Sequence, residues 1–408
     1  MLLENKNILL GITGSIAIYK SLELIRLYIK AGANVKVIMS ESAKRFITPL
    51  TFEAISQNKV LCENSESWDK NSDYNHIDIG KWADVFVLAP SSANTINKIA
   101  NGIADNLLTQ TVLAFKGKKI ICPAANTNMI QNPITIKSLK NLREVGFRIV
   151  SSQVKELACK DVGDGAMAEP LDIFYASSKA LKEENYWINR KVLLSGGGTV
   201  EKIDDVRYIS NFSSGKMASS LALALYLKGA KVSLVSSRGH ENLPKEIEIK
   251  TVQSSFEMYE SLVSSLKAIK KDASKKPYLF MVAAVSDYLP SLEQDGKLKK
   301  DILGPSWSLE LKQNIDILSS LDKEQIFSIG FKAEMDKSLA LINAQNMLEK
   351  KNLDAVCLNV LEDKDSFGSS KNEIELILKE NSFKFSGDKL DISLDILKTL
   401  ESEFSSHE

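Results

Sequence analysis

The sequence is poor in cysteine and histidine. Its four cysteines, Cys62, Cys122, Cys159 and Cys357, include no CxxC pair. That argues against a zinc ribbon and against a disulfide framework. Charge of one sign is also missing: 52 basic and 52 acidic side chains leave a net charge of +0. A chain without cationic excess is badly equipped to grip a nucleic-acid backbone or an anionic membrane. Long hydrophobic runs are lacking too. Stretches such as Leu221–Leu227 fall well short of the roughly 20 residues that span a bilayer. The opening MLLENKNILLGITGS places Glu4 before its apolar run and has no small-residue cleavage site, so it reads as a strand and not a signal peptide. These absences suit a reducing compartment, and a cytoplasmic location is expected.

What is present is an ordinary globular composition: 408 residues, 44 % apolar and 25 % charged. That length suits two or three domains, each with a buried core. Asn7–Leu10, Val35–Met39, Val85–Ala89 and Ile120–Pro123 read as buried strands, and Ser15–Lys30, Ala93–Ile103 and Pro133–Val145 as helices. The pattern restarts at Val192–Leu194. It passes Gly196, Gly197 and Gly198 to a helix at Met217–Leu227 and a strand at Val232–Val235. IKAGANVKVIMS and LKGAKVSLVSS both end a helix on glycine and enter a Val-rich strand. Further strands are expected at Tyr278–Ala284, Ile326–Gly330, Ala355–Leu358 and Ile374–Leu378, with helices at Phe256–Ile269 and Asp336–Lys350. Such alternation implies βαβ units and parallel sheets covered on both faces. The expected fold class is α/β, with two Rossmann-like domains at residues 1–190 and 191–408. The boundary is placed near Arg190, after the largely polar stretch Ser177–Asn189.

In the first half, Gly11-Ile-Thr-Gly14-Ser15 joins a strand to a helix. Such a turn cradles phosphate, or is simply a tight βα turn. It is not the GxGxxG dinucleotide fingerprint. His76 precedes a strand; it reads as a base or as an ordinary half-buried histidine. Asn126 follows a strand end, where α/β ligand sites gather, and reads as a carboxylate holder or a turn residue. Cys159 lies in a glycine-bearing loop, either as a proton-donating thiol or as an inert one.

Taken in order, GITGSIAIYK, NHIDIGKWADVFVLAPSSANTINKIANGIADNLL, PAANTNM and LACKDVGDGAM resemble the homo-oligomeric flavin-containing cysteine decarboxylases. The resemblance implies a flavodoxin-like domain that binds FMN through Gly14, Ser15 and Ile16, through Ser40, and through Ser92, Ala93, Asn94 and Thr95. It implies His76 as base, Asn126 as anchor of the substrate carboxylate, and Cys159 as proton donor on a flap. Direct loss of CO₂ from a cysteine amide leaves an unstabilised carbanion, so an electron sink is needed. In the family, oxidation to a thioaldehyde places a C=S group β to the carboxylate. Reduction and reprotonation follow. Lys160 stands where glycine is usual, and Asp164 and Ala166 where proline and arginine are frequent.

In the second half, SGGGTVEKIDDVRYISNFSSGKM runs from a strand to its helix. Gly215-Lys216 hints at a Walker A motif, but Ser210 and Met217 occupy its required glycine and Ser/Thr positions, which rules out a P-loop. A Gly-rich loop ahead of a helix still suits a phosphate or acyl phosphate. Asp287, in AAVSDY, reads as a ribose acceptor or a turn cap. Lys297 and Lys299 of KLKK share one face if extended, spaced for a polyphosphate; the run also reads as a solvated edge.

GGGT, DVRYISNFSSGKM, AAVSDY, KLKK, NIDIL, GFKAE and KKNLDAVCLN resemble the phosphopantothenate–cysteine ligases over nearly all of this half. The resemblance implies CTP contacts at Met281, Val282, Ala283, Asp287, Lys297, Asn314, Ile315, Phe331 and Lys351. It makes Lys297 and Asn211 catalytic, with Asn211 holding the phosphopantothenate or its acyl-cytidylate and Arg207 a phosphate partner. Mg²⁺ is expected on the triphosphate, with no dedicated set of protein ligands. Met347 stands at a family lysine, Phe212 at a frequent histidine, Ile315 at a proline and Lys332 at an alanine.

A decarboxylase half followed by a ligase half is similar to the bifunctional bacterial enzymes of coenzyme A biosynthesis. That implies joining of cysteine to 4′-phosphopantothenate with CTP, then FMN-dependent decarboxylation to 4′-phosphopantetheine. Two other readings stay open: a single active half, or an FMN-binding regulatory subunit. The relatives' trimeric and dimeric contacts together imply a homo-oligomer of twelve.

Overall fold

The computed structural model describes all residues except 68–74, 157–161, 241, 362–370 and 408. The chain forms two compact units, Met1–Lys182 and Glu183–Glu408.

The first unit is built on strands β1 (Asn7–Ile12), β2 (Asn34–Met39), β3 (Val85–Ser91), β4 (Lys118–Pro123) and β5 (Arg148–Ile149). They form one parallel sheet in the order β2-β1-β3-β4-β5, the flavodoxin-like arrangement. Ile8, Leu10 and Ile12 enter one apolar layer with Val85, Val87 and Ala89, while Leu9, Phe86 and Leu88 enter the layer on the other side. Burial on both faces is why these strands read as continuous apolar runs. The expected helix from Ser15 begins instead with a 3₁₀ turn, Ile16–Ile18, before the α-helix Tyr19–Lys30. A hairpin of β6 (Gln153–Glu156) and β7 (Val162–Ala166) follows the sheet. The helix Pro170–Lys182 closes the unit, occupying the start of the segment read as a polar stretch.

The second unit adds β8 (Lys191–Gly196), β9 (Val200–Lys202), β10 (Tyr208–Ser210), β11 (Lys231–Ser236), β12 (Glu248–Thr251), β13 (Tyr278–Met281), β14 (Tyr288–Pro290), β15 (Leu311–Gln313), β16 (Phe327–Glu334), β17 (Ala355–Val360), β18 (Lys371–Ile377) and β19 (Ser382–Asp388). Its eight-stranded sheet runs β12-β11-β8-β13-β16-β17-β18-β19. Pairing is parallel as far as β17, in the Rossmann order, and antiparallel for β18 and β19. The strand expected over Tyr278–Ala284 stops at Met281, because the Val282 and Ala283 amides turn to Ser195 Oγ, each at 3.1 Å. The helix Lys389–Phe404, which sequence reading passed over, packs on β18 and β19.

The change of unit lies upstream of the expected point near Arg190. Trp187 and Arg190 are both 0 % exposed. Arg190 lies 3.9 Å over the Tyr186 ring and donates to the carbonyls of Tyr186 (3.0 Å) and Lys276 (2.7 Å). Tyr186 and Tyr278 share a hydroxyl hydrogen bond of 2.6 Å. These residues are core of the second unit, not linker. Among the described residues, no helix is long and apolar enough to cross a membrane.

Candidate functional site

The strand order of the first unit reverses between β1 and β3, the crevice where such sheets bind ligands. A cleft of about 1260 Å³ opens there, beyond the carboxyl ends of β1 to β4. Gly14, Ser15 and Ile16, then Ser40, then Ser92, Ala93, Asn94 and Thr95, and then Asn126 all line it. Each loop is fixed locally. Thr13 Oγ1 donates to Pro90 O and accepts the Ser92 N–H, both at 2.8 Å, tying the loop after β1 to that after β3. Ser92 caps the helix Ala93–Ala100 by accepting the Thr95 N–H at 3.3 Å. A Cβ on Gly14 would stand 2.7 Å from Ser42 Cβ, so only glycine lets these two loops meet. Ser40 Oγ is buried at the cleft without a hydrogen-bond partner among the described residues. A buried hydroxyl left this way fits a cleft shaped for a polar ligand.

Asn126 caps the short helix Thr127–Ile130, its Oδ1 accepting the Asn128 N–H at 2.9 Å. The hairpin leans on this loop through glycines. A Cβ on Gly163 would fall 2.2 Å from Thr127 Oγ1, and one on Gly165 2.0 Å from Ala125 O. Cys159 and Lys160 lie outside the described residues, between β6 and β7. Asp164 accepts from Ser152 Oγ at 2.5 Å. His76 begins the helix His76–Trp82 and does not line the cleft of its own chain. Sequence reading passed over Lys20, Lys155 and Glu169, which meet at the cleft: Glu169 accepts from Lys20 at 3.1 Å and from Lys155. Lys20 and Glu169 are far apart in sequence, so no local motif marks them.

In the second unit the loop after β8 meets the loop after β13. The Ala284 N–H donates to Gly197 O (2.8 Å) and the Thr199 N–H to Ala284 O (3.3 Å). Gly197 adopts φ +81, a conformation that side chains resist. Asn211 is exposed and donates through Nδ2 to Val285 O at 3.0 Å. Asn314 donates through Nδ2 to Ser286 O and through its backbone to Asp287 O, both at 2.8 Å. These bonds gather Asn211, Asp287, Asn314 and the adjoining Ile315 around the segment after β13.

A smaller cleft of about 170 Å³ is lined by Val282, Ala283 and Phe331, and also by Lys216, Lys332, Asn359 and Lys389. Asn359 Oδ1 is buried there without a partner among the described residues. Burial, then the like charge of Lys216, pushes the Lys389 ammonium below its usual range. Met281 is buried within the sheet. Lys297 is exposed, and Lys351 pairs with Asp316 at 2.8 Å. Burial works to raise the Asp316 carboxyl, but hydrogen bonds from Lys351 and Ser319 outweigh it and hold it low. Arg207 donates through Nη2 to Leu298 O at 2.5 Å, lies 3.5 Å from Asp204 and sits 5.5 Å over the Trp307 ring, with its side chain one-third exposed. Met347 Cε sits against Gly330, 2.7 Å from a Cβ built there, so this side chain packs under the sheet.

The two units correspond to two known modules. Residues 2–182 match the family described as Flavoprotein, and residues 187–403 match the DNA/pantothenate metabolism flavoprotein C-terminal domain. Fold and site therefore define a flavoprotein domain joined to a pantothenate-metabolism domain. The chain is 38 % identical to the coenzyme A biosynthesis bifunctional protein CoaBC of Bacillus subtilis (strain 168), over 98 % of this chain and 97 % of that protein. It is 32 % identical to CoaBC of Escherichia coli (strain K12), over 93 % of this chain and 92 % of that protein. The crystal structure of the C-terminal domain of a CoaBC is 26 % identical, with a TM-score of 0.44, covering 54 % of this chain and 100 % of that one. The chain belongs to the family of bifunctional coenzyme A biosynthesis proteins, CoaBC.

Proposed function

We propose that the second unit ligates cysteine to 4′-phosphopantothenate with CTP, and that the first decarboxylates the 4′-phosphopantothenoylcysteine so formed. The observation that carries this reading is the convergence of Gly14, Ser15, Ser40, Ser92–Thr95 and Asn126 on one cleft at the strand-order reversal. In that cleft Ser40, Ser15 and the Ser92–Thr95 loop hold FMN. The flavin, when bound, supplies the electron sink that a cysteine amide lacks. Asn126 orients the substrate carboxylate, His76 takes a proton, and Cys159 returns one. Positioned proton transfers of this kind are worth typically about 10²–10⁴-fold each. His76 stands apart from the cleft of its own chain. A site completed by a second copy reconciles that placement with a role as base; the assembly of trimers and dimers rests on the resemblance alone.

In the ligase unit Asp287, Asn314, Ile315 and the cleft at Val282, Ala283 and Phe331 receive the nucleotide. Lys297 and Lys351 offset phosphate charge. Asn211 holds the acyl group while the cysteine amine attacks it. Arg207 holds the Lys297 loop through Leu298 O. Mg²⁺ would offset charge on the triphosphate, as this ion does when bound mainly by substrate oxygens.

The test is an absorbance spectrum of the full chain and an assay with phosphopantothenate, cysteine, CTP and Mg²⁺. A yellow protein that releases both pyrophosphate and CO₂ is expected. In the same assay Asn211→Asp should lose ligation and keep decarboxylation, and Cys159→Ser should keep ligation and stall at the oxidised enethiol with the flavin left reduced. A colourless protein that cannot be reconstituted with FMN overturns the reading.

A further inference from the structure

His76 has a carboxylate beside it that no motif announces. Glu66 Oε1 lies 2.7 Å from His76 Nδ1, and the same oxygen accepts the His76 backbone N–H at 3.4 Å. The two side chains are 22 % and 20 % exposed, so water competes only partly for this contact. Both residues sit on fixed supports. Glu66 follows the 3₁₀ turn Glu63–Ser65, in which Ser65 Oγ accepts the Cys62 N–H (2.7 Å) and donates to Cys62 O (2.9 Å). Glu63, in the same turn, accepts the Leu107 N–H at 2.9 Å. His76 opens its helix behind Asn75, which is buried and accepts the Ile77 and Asp78 N–H groups at 3.0 and 2.9 Å.

A carboxylate only accepts hydrogen bonds. The ring nitrogen facing it must therefore carry the hydrogen, and the tautomer of an imidazole is set by the bond its other nitrogen makes. We propose that Glu66 is a positioning residue for decarboxylation: it holds His76 as the Nδ1–H tautomer, so that Nε2 is the nitrogen that accepts the substrate proton. The inference rests on the reading of His76 as the base. In the step the substrate S–H bond breaks and an Nε2–H bond forms. The ring becomes a cation, stabilised by the Glu66 carboxylate across Nδ1, and the sulfur keeps the electron pair.

The test uses the full chain reconstituted with FMN. With ¹⁵N-labelled histidine, three imidazoles are observed (the chain has 3 histidines) and a His76→Asn spectrum assigns the signal of His76. At a pH where the ring is neutral, the parent chain should show Nδ1 protonated. In Glu66→Ala, Nδ1–H should lose its dominance and decarboxylation kcat should fall about 10- to 100-fold, with flavin absorbance and ligation retained. Glu66→Gln keeps the side-chain shape, and it too should be slow because the cation loses its counter-charge. Glu66→Asp should recover part of the rate. An unprotonated Nδ1 in the parent chain, or a Glu66→Ala rate within twofold of the parent, overturns the inference. If His76→Asn itself decarboxylates normally, the reading of His76 as base fails first and the inference falls with it.

Discussion

Arg207 shows how a residue's role depends on which way it turns. Resemblance makes it a phosphate partner; in the fold its guanidinium, one-third exposed, is bonded to Leu298 O and close to Asp204. Asp204 in turn accepts the N–H groups of Val206, Arg207 and Leu298 at 2.8, 2.7 and 3.2 Å. Leu298 lies between Lys297 and Lys299, so the pair ties down the lysine loop. A hydrogen bond to a charged group contributes about 1.5–3 kcal/mol. Arg207→Ala should accordingly raise the KM for CTP by about tenfold or more while decarboxylation stays at the parent rate. Arg207→Lys should not rescue it, because an ammonium lacks the planar fork. Steady-state ligation at varied CTP and varied phosphopantothenate checks this: a change confined to the phosphopantothenate KM would restore the direct contact. At this scale the sequence was legible where cleft-lining residues form compact motifs, as at Gly14-Ser15 and Ser92–Thr95. It was not legible for pairs such as Arg207 with Leu298 or Lys20 with Glu169, which chain folding alone brings together.

Among whole elements, the strands were the easiest to read, since burial on both faces leaves an unbroken apolar run. The 3₁₀ turn at Ile16–Ile18 was hidden because its side chains suit a helix equally well. The C-terminal helix Lys389–Phe404 did carry a signal: Ile392, Ile396, Leu400 and Phe404 recur at one-turn spacing and are all buried. That helix also bears a group in conflict with its surroundings. Burial, then the neighbouring Glu184, raises the Glu401 carboxyl to about 7. A carboxyl raised in the folded state favours folding at acid pH, and the benefit fades as pH climbs through the folded value. Glu401→Gln should therefore stabilise the chain at pH 8 and make little difference near pH 4. Thermal melts of the two proteins across that range check the sign; a variant that is less stable at pH 8 contradicts it.

Over the whole molecule, the α/β class and the two modules were readable because both halves repeat the same βαβ grammar. The seam was displaced because Trp187 and Arg190 sit in polar surroundings in the sequence yet in an aromatic core in the fold. The consequence is measurable. Residues 183–408 alone should melt near the second transition of the full chain. Residues 191–408, stripped of a buried Trp worth about 3–5 kcal/mol, should melt roughly 10 °C lower or fail to fold. Equal melting of the two fragments would place the seam back at Arg190. The β6–β7 hairpin has a consequence of its own. Gly163 and Gly165 abut the Asn126 loop so closely that a methyl group cannot enter, whereas Asp164 between them is engaged with Ser152. A side chain at either glycine would have to displace the loop that carries Asn126, so the gap between hairpin and loop is set by two missing methyl groups.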